Sequence, residues 1–363
     1  MKILFVVTDF GVFGGGERVA ANLARALQRD YGHSVGILSF QNLTKPASFD
    51  QEDLLVKASL NLKLYRSNYI MRIAAKIQSL IRLKKFLKAQ DWQVVLGIGT
   101  YPATILGLIE SSPTIRIGCE HASLASTPAV WRVLRKYAYP KLNHLVVLTQ
   151  RSMLAAQGLN KNVSVIPNSL SVFPAGAAHL SSHRVLGVGR LDVNKSFDKL
   201  IEAFSYAVKD HPLWELRIIG EGDQKRLLQE KISFLGLGRA VTIQPPVADI
   251  ENEYRNSSIC ALTSSSEGLP MVLLEAQGCG LPCIAFDCDT GPAEIIQHQV
   301  SGFLITPGDV AEFGKRLSEL MGNAPLRAQF SRAAIKNAKT FSEKAICEKW
   351  QQLFSDMLNR SQQ

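Results

Sequence analysis

The strongest constraint on this chain is a pattern that occurs twice: a short apolar run, a loop carrying glycine or charge, then a segment with helical periodicity. KILFVV, a glycine-rich loop and GERVAANLARALQR open the chain, and RVLGVG, RLDVNKS and FDKLIEAFSYAV repeat the design from residue 184. Short continuous apolar runs bounded by turn residues read as strands covered on both faces, and strands alternating with amphipathic helices build parallel sheets. HSVGILSF, WQVVLGIG, TIRIGC, HLVVLT and VSVIP supply further strands in the first half, and LWELRIIG, AVTIQPP, SSICALTSS, LPCIAF and GFLITP in the second. At 363 residues the chain exceeds one hydrophobic core, so two domains of about 150 to 200 residues are expected.

The stretch SLSVFPAGAAHLSSH after Asn168 keeps no period and reads as a linker. The expected division is therefore 1–170 and 171–341, two α/β doubly wound domains, with a closing helix in 342–363 packing back on the first. Doubly wound sheets take ligand beyond the carboxyl ends of their strands, which puts the expected site in a cleft between the two domains.

Composition, 46% hydrophobic and 20% charged, is that of a globular chain. The apolar start MKILFVV ends at Thr8 and Asp9, and no stretch reaches the ~18 apolar residues of a membrane span, so a cytoplasmic location is expected. The six cysteines sit mostly among apolar neighbours without a C-x-x-C pair and read as reduced core residues. A zinc set drawn from Cys279, Cys283, Cys288 and His298 is the weaker reading, and the other histidines show no ligand spacing.

The net charge of +10 is uneven: residues 1–170 hold 21 Lys+Arg against 9 Asp+Glu, and residues 171–363 hold 20 against 22. Much of the excess lies in YRSNYIMRIAAKIQSLIRLKKFLKAQDW, one or two basic amphipathic helices with Arg66, Arg72, Lys76, Arg82, Lys84, Lys85 and Lys88 and no acid before Asp91. An anionic membrane surface is the favoured partner, ahead of a plain solvated face. Nucleic acid is disfavoured, because few aromatics interleave with the charges.

Three loops carry candidate chemistry. FGGGERV sets Gly14, Gly15 and Gly16 between a strand and a helix, where bare amides and the helix dipole can meet a phosphate or an acceptor; a plain tight turn is the alternative. It is not G-x-G-x-x-G, and no acid is placed for a nicotinamide ribose. GRLDVNKSFDKL offers Arg190 and Lys195, a guanidinium fork and an ammonium that suit a diphosphate or else form surface pairs with Asp192 and Asp198. SSSEGLPMVLLE places Gly268, Leu269, Pro270, Met271 and Val272 at a helix start that attracts anions, with Ser266 as an expected cap. Glu267 stays in the preceding loop and Glu275 lies about a turn and a half into the helix.

GRLDVNKSFDKLIEAF, IIGEGDQ, EGLPMVLLEAQGCGLPCIAFD, GPAEII and SGFLITPGD together resemble the nucleotide-sugar domain of glycosyltransferase family 4, retaining enzymes of the GT-B fold. The resemblance covers residues 184–310 and extends to 1–170 through GGGERV and the pair Glu120-His121. Glu267 and Glu275 match the family's Glu-X7-Glu motif. By that resemblance Arg190 and Lys195 neutralise the donor diphosphate without a metal, the amides from Leu269 to Val272 hold the distal phosphate, and Glu275 takes the ribose hydroxyls. Glu267 and His121 meet the transferred sugar, Gly15 and Gly16 lie near phosphate and acceptor, and Glu221 and Val247 line the base pocket.

The resemblance implies a hexosyltransferase moving a hexose or N-acetylhexosamine from a UDP-sugar to a lipid-linked (polyprenyl diphosphate) or saccharide acceptor, peripheral on the inner face of a membrane. It implies no cofactor. Asp287-Cys288-Asp289 forms a D-x-D of the kind that binds Mn²⁺ or Mg²⁺ in another glycosyltransferase fold, but here it reads as a loop beside the donor. A GT-B epimerase or hydrolase of nucleotide sugars, and a non-catalytic nucleotide-binding or nucleic-acid-binding module, are the alternatives.

Overall fold

The computed structural model describes residues 1–9, 15–41, 56–64, 69–109, 114–124, 127–170 and 176–361. Gly14, Arg66, the side chain of Arg72 and residues 171–175 of the expected linker lie outside the described residues. The chain divides into two units, Met1–Ser171 with Glu343–Gln363, and Val172–Ser342.

In the first unit the order is β1 (Lys2–Val7), α1 (Gly15–Tyr31), β2 (Ser34–Ser39), β3 (Val56–Ser59), α2 (Tyr69–Lys88), β4 (Val94–Ile98), α3 (Thr100–Leu108), β5 (Ile115–Glu120), α4 (Ala129–Ala138), β6 (His144–Val147), α5 (Gln150–Gln157) and β7 (Val163–Val165). These strands form a parallel sheet in the order β3-β2-β1-β4-β5-β6-β7, with Phe5 of β1 level with Ile37 of β2 and Leu96 of β4. Ile3 to Val7 are wholly buried because helices cover both faces, the condition under which a parallel strand needs no polar side. One apolar layer contains Ala20, Leu23, Ala24 and Leu27 of α1. The last helix of the chain supplies Ile346, Cys347, Trp350, Leu353 and Phe354 to the same layer. The opposite layer contains Leu4, Leu83, Leu87, Trp92, Leu106 and Tyr139.

In the second unit β8 (Arg184–Val188), α6 (Phe197–Ala207), β9 (Glu215–Ile219), α7 (Lys225–Phe234), β10 (Val241–Gln244), α8 (Ile250–Arg255), β11 (Ile259–Leu262), α9 (Met271–Gly278), β12 (Cys283–Phe286), α10 (Pro292–Ile295), β13 (Gly302–Ile305), α11 (Val310–Gly322) and α12 (Ala324–Ala338) follow in turn. The sheet order is β10-β9-β8-β11-β12-β13, again all parallel. Asp249 caps α8 through the Asn252 amide, and Asp309 caps α11 through the Glu312 amide. The closing helix α13 (Glu343–Ser361) belongs to the first unit, where Glu343 also pairs with Arg29 of α1 at 2.6 Å.

Each sheet reverses its winding once: between β1 and β4 in the first unit, and between β8 and β11 in the second. Such switch points open a crevice at the strand ends, because neighbouring loops leave in opposite directions.

The basic stretch forms one continuous helix over the described residues, α2. The strand β3, VKAS, pairs with β2 at the sheet edge and lacks the apolar run that announces the other strands. All six cysteines are buried and unbridged. Burial pushes the Cys279 and Cys347 thiols up to about 12 and Cys288 up to about 11. Among the described residues no three His, Cys, Asp or Glu side chains gather as a metal site.

Candidate active site

At the second switch point the loops leaving β8 and β11 are tied together. Asn194 Nδ2 donates to the Ser266 carbonyl at 2.9 Å, and the Ser265 amide donates to the Asn194 carbonyl at 2.8 Å. Thr263 Oγ1 donates to the Ser196 carbonyl at 2.9 Å. Ser196 itself holds the left-handed region at φ 50°, a conformation a non-glycine residue keeps only where its surroundings enforce it. The result is a fixed path for Lys195, whose Nζ lies 2.5 Å from Glu267 Oε1. Their side chains are 16% and 11% exposed, so the pair is shielded yet reaches the surface.

The β12–α10 loop closes the other side. Thr290 donates its hydroxyl to the Glu267 carbonyl. Gly291 stands at φ 99°, where a Cβ would lie 2.6 Å from Pro270 Cδ and 3.0 Å from the Gly268 carbonyl oxygen. Only glycine lets the two loops approach this closely. Pro270, rather than Ser266, occupies the N-cap of α9, and no side chain caps it; the Ser266 carbonyl is engaged by Asn194 instead. The first helical bonds run from the Leu273 and Leu274 amides to the Pro270 carbonyl, so the amides of Met271 and Val272 precede the helix's own ladder. Pro270 has no amide hydrogen, which reduces the expected amide set to Leu269, Met271 and Val272.

Glu275 is half-buried on α9, and the buried Tyr254 hydroxyl of α8 donates to its Oε2 at 3.0 Å. Arg190, 80% exposed, pairs with Asp192 at 3.0 Å, so in this state the structure does not bring it to Lys195. Glu221 and Val247 follow β9 and β10, the first exposed and the second half-buried. The Glu221 carbonyl accepts the Leu191 amide at 2.8 Å, which joins the β8 and β9 loops. Arg190, Lys195, Glu221, Val247 and Glu267 thus all leave the carboxyl ends of parallel strands.

Gly15, Gly16 and His121 form a separate group in the first unit. Gly15 and Gly16 open α1 after β1. A Cβ on Gly16 would meet His121 Nδ1 at 3.7 Å, so the helix start and the imidazole are in contact range. Burial holds the His121 imidazole down at about 4, which leaves it neutral near pH 7, and its Nδ1 is buried without a hydrogen-bond partner among the described residues.

One residue earlier, where the strand turns its side chain to the other face, Glu120 is 2% exposed. Its Oε2 accepts from Thr100 Oγ1 at 2.8 Å, and its Oε1 takes the Tyr139 hydroxyl and faces Arg135 at 3.5 Å. Arg135 also donates to the Leu124 carbonyl at 2.9 Å, fixing the loop that carries His121. Burial raises the Glu120 carboxyl above its usual range, against the lowering by these donors.

The family model described as Glycosyl transferases group 1 matches residues 176–337, the segment that contains the Lys195–Glu267 pair. The amylovoran biosynthesis glycosyltransferase AmsD of Erwinia amylovora is 31% identical, with 99% of each chain covered. This chain belongs to the group 1 glycosyltransferases. Another relative of this glycosyltransferase, 26% identical with 99% of each chain covered, is an alpha-1,4-N-acetyl-D-galactosaminyltransferase of Campylobacter jejuni named for a GalNAc-bearing PP-undecaprenol glycan. Among solved structures, HepE of Anabaena in complex with UDP and glucose superposes with a TM-score of 0.78 at 19% identity, over 98% of this chain and 100% of that one. The glycosyltransferase therefore has the GT-B fold, two parallel-sheet α/β Rossmann-like domains.

Proposed function

We propose that this glycosyltransferase is a retaining family 4 hexosyltransferase. In this reading it moves a hexose or N-acetylhexosamine from a UDP-sugar to a lipid-linked or saccharide acceptor in polysaccharide or glycan assembly. The observation that carries the reading is the Lys195–Glu267 pair at the β8/β11 switch point, beside a helix start whose first amides precede its own ladder. Glu267 and Glu275 stand as a Glu-X7-Glu motif. UDP and glucose in HepE, and the PP-undecaprenol acceptor named for the Campylobacter relative, support the substrate classes.

In the proposed reaction the bond between the anomeric carbon and the diphosphate oxygen breaks, and the acceptor oxygen forms its bond to that carbon on the same face. The acceptor proton passes to the leaving diphosphate oxygen. Lys195, with Arg190 swinging from Asp192, meets the charge that builds on the diphosphate without a metal, and the amides of Leu269, Met271 and Val272 hold the distal phosphate. Glu267 exchanges Lys195 for a sugar hydroxyl near the reacting carbon, Glu275 takes the ribose hydroxyls, and Glu221 and Val247 flank the base. His121, neutral, offers a hydrogen bond to the sugar, and Gly15 and Gly16 leave room for phosphate and acceptor. The excess positive charge of residues 1–170 favours an anionic, membrane-borne acceptor and a peripheral place on the inner membrane face.

Glu267→Ala and Lys195→Ala are each expected to lower turnover about 100-fold or more in a transfer assay; near-normal transfer by either would end the assignment. A thermal-shift series with UDP-, GDP- and ADP-sugars tests the donor, with stabilisation by the UDP series expected.

A further inference from the structure

Helix α2 has two apolar faces, and among the described residues only one of them is packed into the core. Ala75, Leu83 and Leu87 are buried in the core of the first unit. Ile73, Ile77 and Ile81 recur every four residues on the outward side and are 42%, 55% and 59% exposed, with Met71 at 44%. At 100° per residue Lys84 and Lys88 continue the same stripe, which runs about 22 Å from Ile73 to Lys88.

The neighbouring helix α4 repeats this. Ala138 and Arg135 face inward, while Val130, Val133 and Tyr137 share an outward stripe and are 58%, 55% and 68% exposed, flanked by exposed Arg132 and Lys136. Side chains link the two helices directly and through α3: Lys76 Nζ lies 4.7 Å above the Trp131 ring, and Trp131 packs edge-on against Tyr101 of α3, whose hydroxyl lies 2.6 Å from Ser79 Oγ of α2.

Neither helix contains an acid, and residues 54–170 carry only Asp91, Glu110 and Glu120 against 16 Lys+Arg. Seven large apolar side chains left in water on two adjoining helices are not what a freely solvated basic face requires. Apolar residues framed by lysine and arginine, without a negative charge among them, fit the boundary between headgroups and acyl chains of an anionic bilayer, where apolar burial and charge attraction add. Among the described residues no helix is long and apolar enough to cross a membrane, so the contact is one of lying on the surface.

We infer that the outward stripes of α2 and α4 form one docking face that inserts Ile73, Ile77, Ile81, Val130, Val133 and Tyr137 among the lipids of an anionic membrane, with Lys84, Lys85, Lys88, Arg132 and Lys136 on the headgroups. This extends the proposed peripheral location, adding apolar insertion to charge attraction, and it does not depend on the chemistry at Glu267.

Flotation of the full chain with vesicles of phosphatidylcholine alone, or of phosphatidylcholine with phosphatidylglycerol, tests it. The wild type should float with the acidic vesicles and keep part of that binding at high salt. Ile73→Ser with Ile77→Ser and Ile81→Ser should weaken binding about tenfold or more, as should Val133→Ser with Tyr137→Ser. Lys84→Gln with Lys85→Gln and Lys88→Gln should abolish the preference for the acidic lipid. Thermal shift by UDP, measured without vesicles, should be unchanged in all three variants, which keeps this test apart from the donor assignment. Isoleucine variants that float like wild type, or binding lost entirely at high salt, would overturn the insertion. A wild type that is dimeric in solution and becomes monomeric on the serine substitutions would assign the face to a second copy instead.

Discussion

Glu120 in the first unit and Glu267 in the second both lie where a parallel strand gives way to its loop, yet they hold their charge differently. Glu120, at the end of β5, is sealed beneath the surface among Thr100, Tyr139 and Arg135. Glu267, five residues beyond β11, is at the rim, and its partner Lys195 arrives on a separate loop. A buried carboxylate boxed by three donors cannot change partners without stranding them in the core, whereas Glu267, paired with a lysine that also reaches the surface, can exchange that partner for a ligand group. One frame thus yields a structural carboxylate in one unit and an exchangeable one in the other.

The largest test of that contrast is Glu120→Ala, which leaves the Arg135 guanidinium buried and unpaired and is expected to destabilise the first unit by about 3–5 kcal/mol in denaturant unfolding. Lys195→Ala should do the reverse. It should cost less stability than Glu120→Ala, because Glu267 still reaches the surface, and it should remove most turnover. Equal losses of stability in the two variants would erase the distinction.

Gly291→Ala is expected next, at about 1–3 kcal/mol from the φ of 99° and the contact with Pro270, together with weaker donor binding, since the loop that braces Glu267 must move. Tyr254→Phe removes one hydrogen bond to Glu275, worth about 1 kcal/mol, so donor affinity measured calorimetrically should fall about fivefold with the fold intact.

The smallest effect concerns pH. His121 titrates at about 4 in the folded chain and near the ordinary value of about 6.5 when unfolded, so the unfolded chain takes up the proton first. Stability should fall as pH drops through that window, and less steeply in His121→Gln. His33, also held down by burial, acts in the same direction and remains in both proteins, so the difference between their pH profiles reports His121.

The sheets were legible because buried parallel strands are written as unbroken apolar runs. β3 was not, because VKAS is a short edge strand with a single neighbour and carries no continuous apolar run. Lys195 and Glu267 could be singled out from residue type beside turn signals, but their pairing depends on Asn194, Thr263 and Ser265 bonding across about 70 residues of chain. Ser266 looked like a cap because serine before a helix usually is one; the strand-end loop places Pro270 there instead. The Glu120 box left no pattern, since Arg135 sits in WRVLRKY as one cation among three and only the folded helix turns it inward. In α2 the sequence mixes isoleucine with lysine, but nothing in the spacing tells which of two apolar sets meets the core.

The return of α13 to the first unit has a consequence for how the chain is made. The residues that complete that core, Trp350 and Phe354 among them, are synthesised after the whole of the second unit, which is a single uninterrupted segment. During synthesis the later half can therefore finish folding while the earlier half still waits for its final helix. Truncation before Glu343 should then expose the apolar layer of α1 and β1 while leaving the segment of the second unit whole, so the first unit depends on residues made after its neighbour.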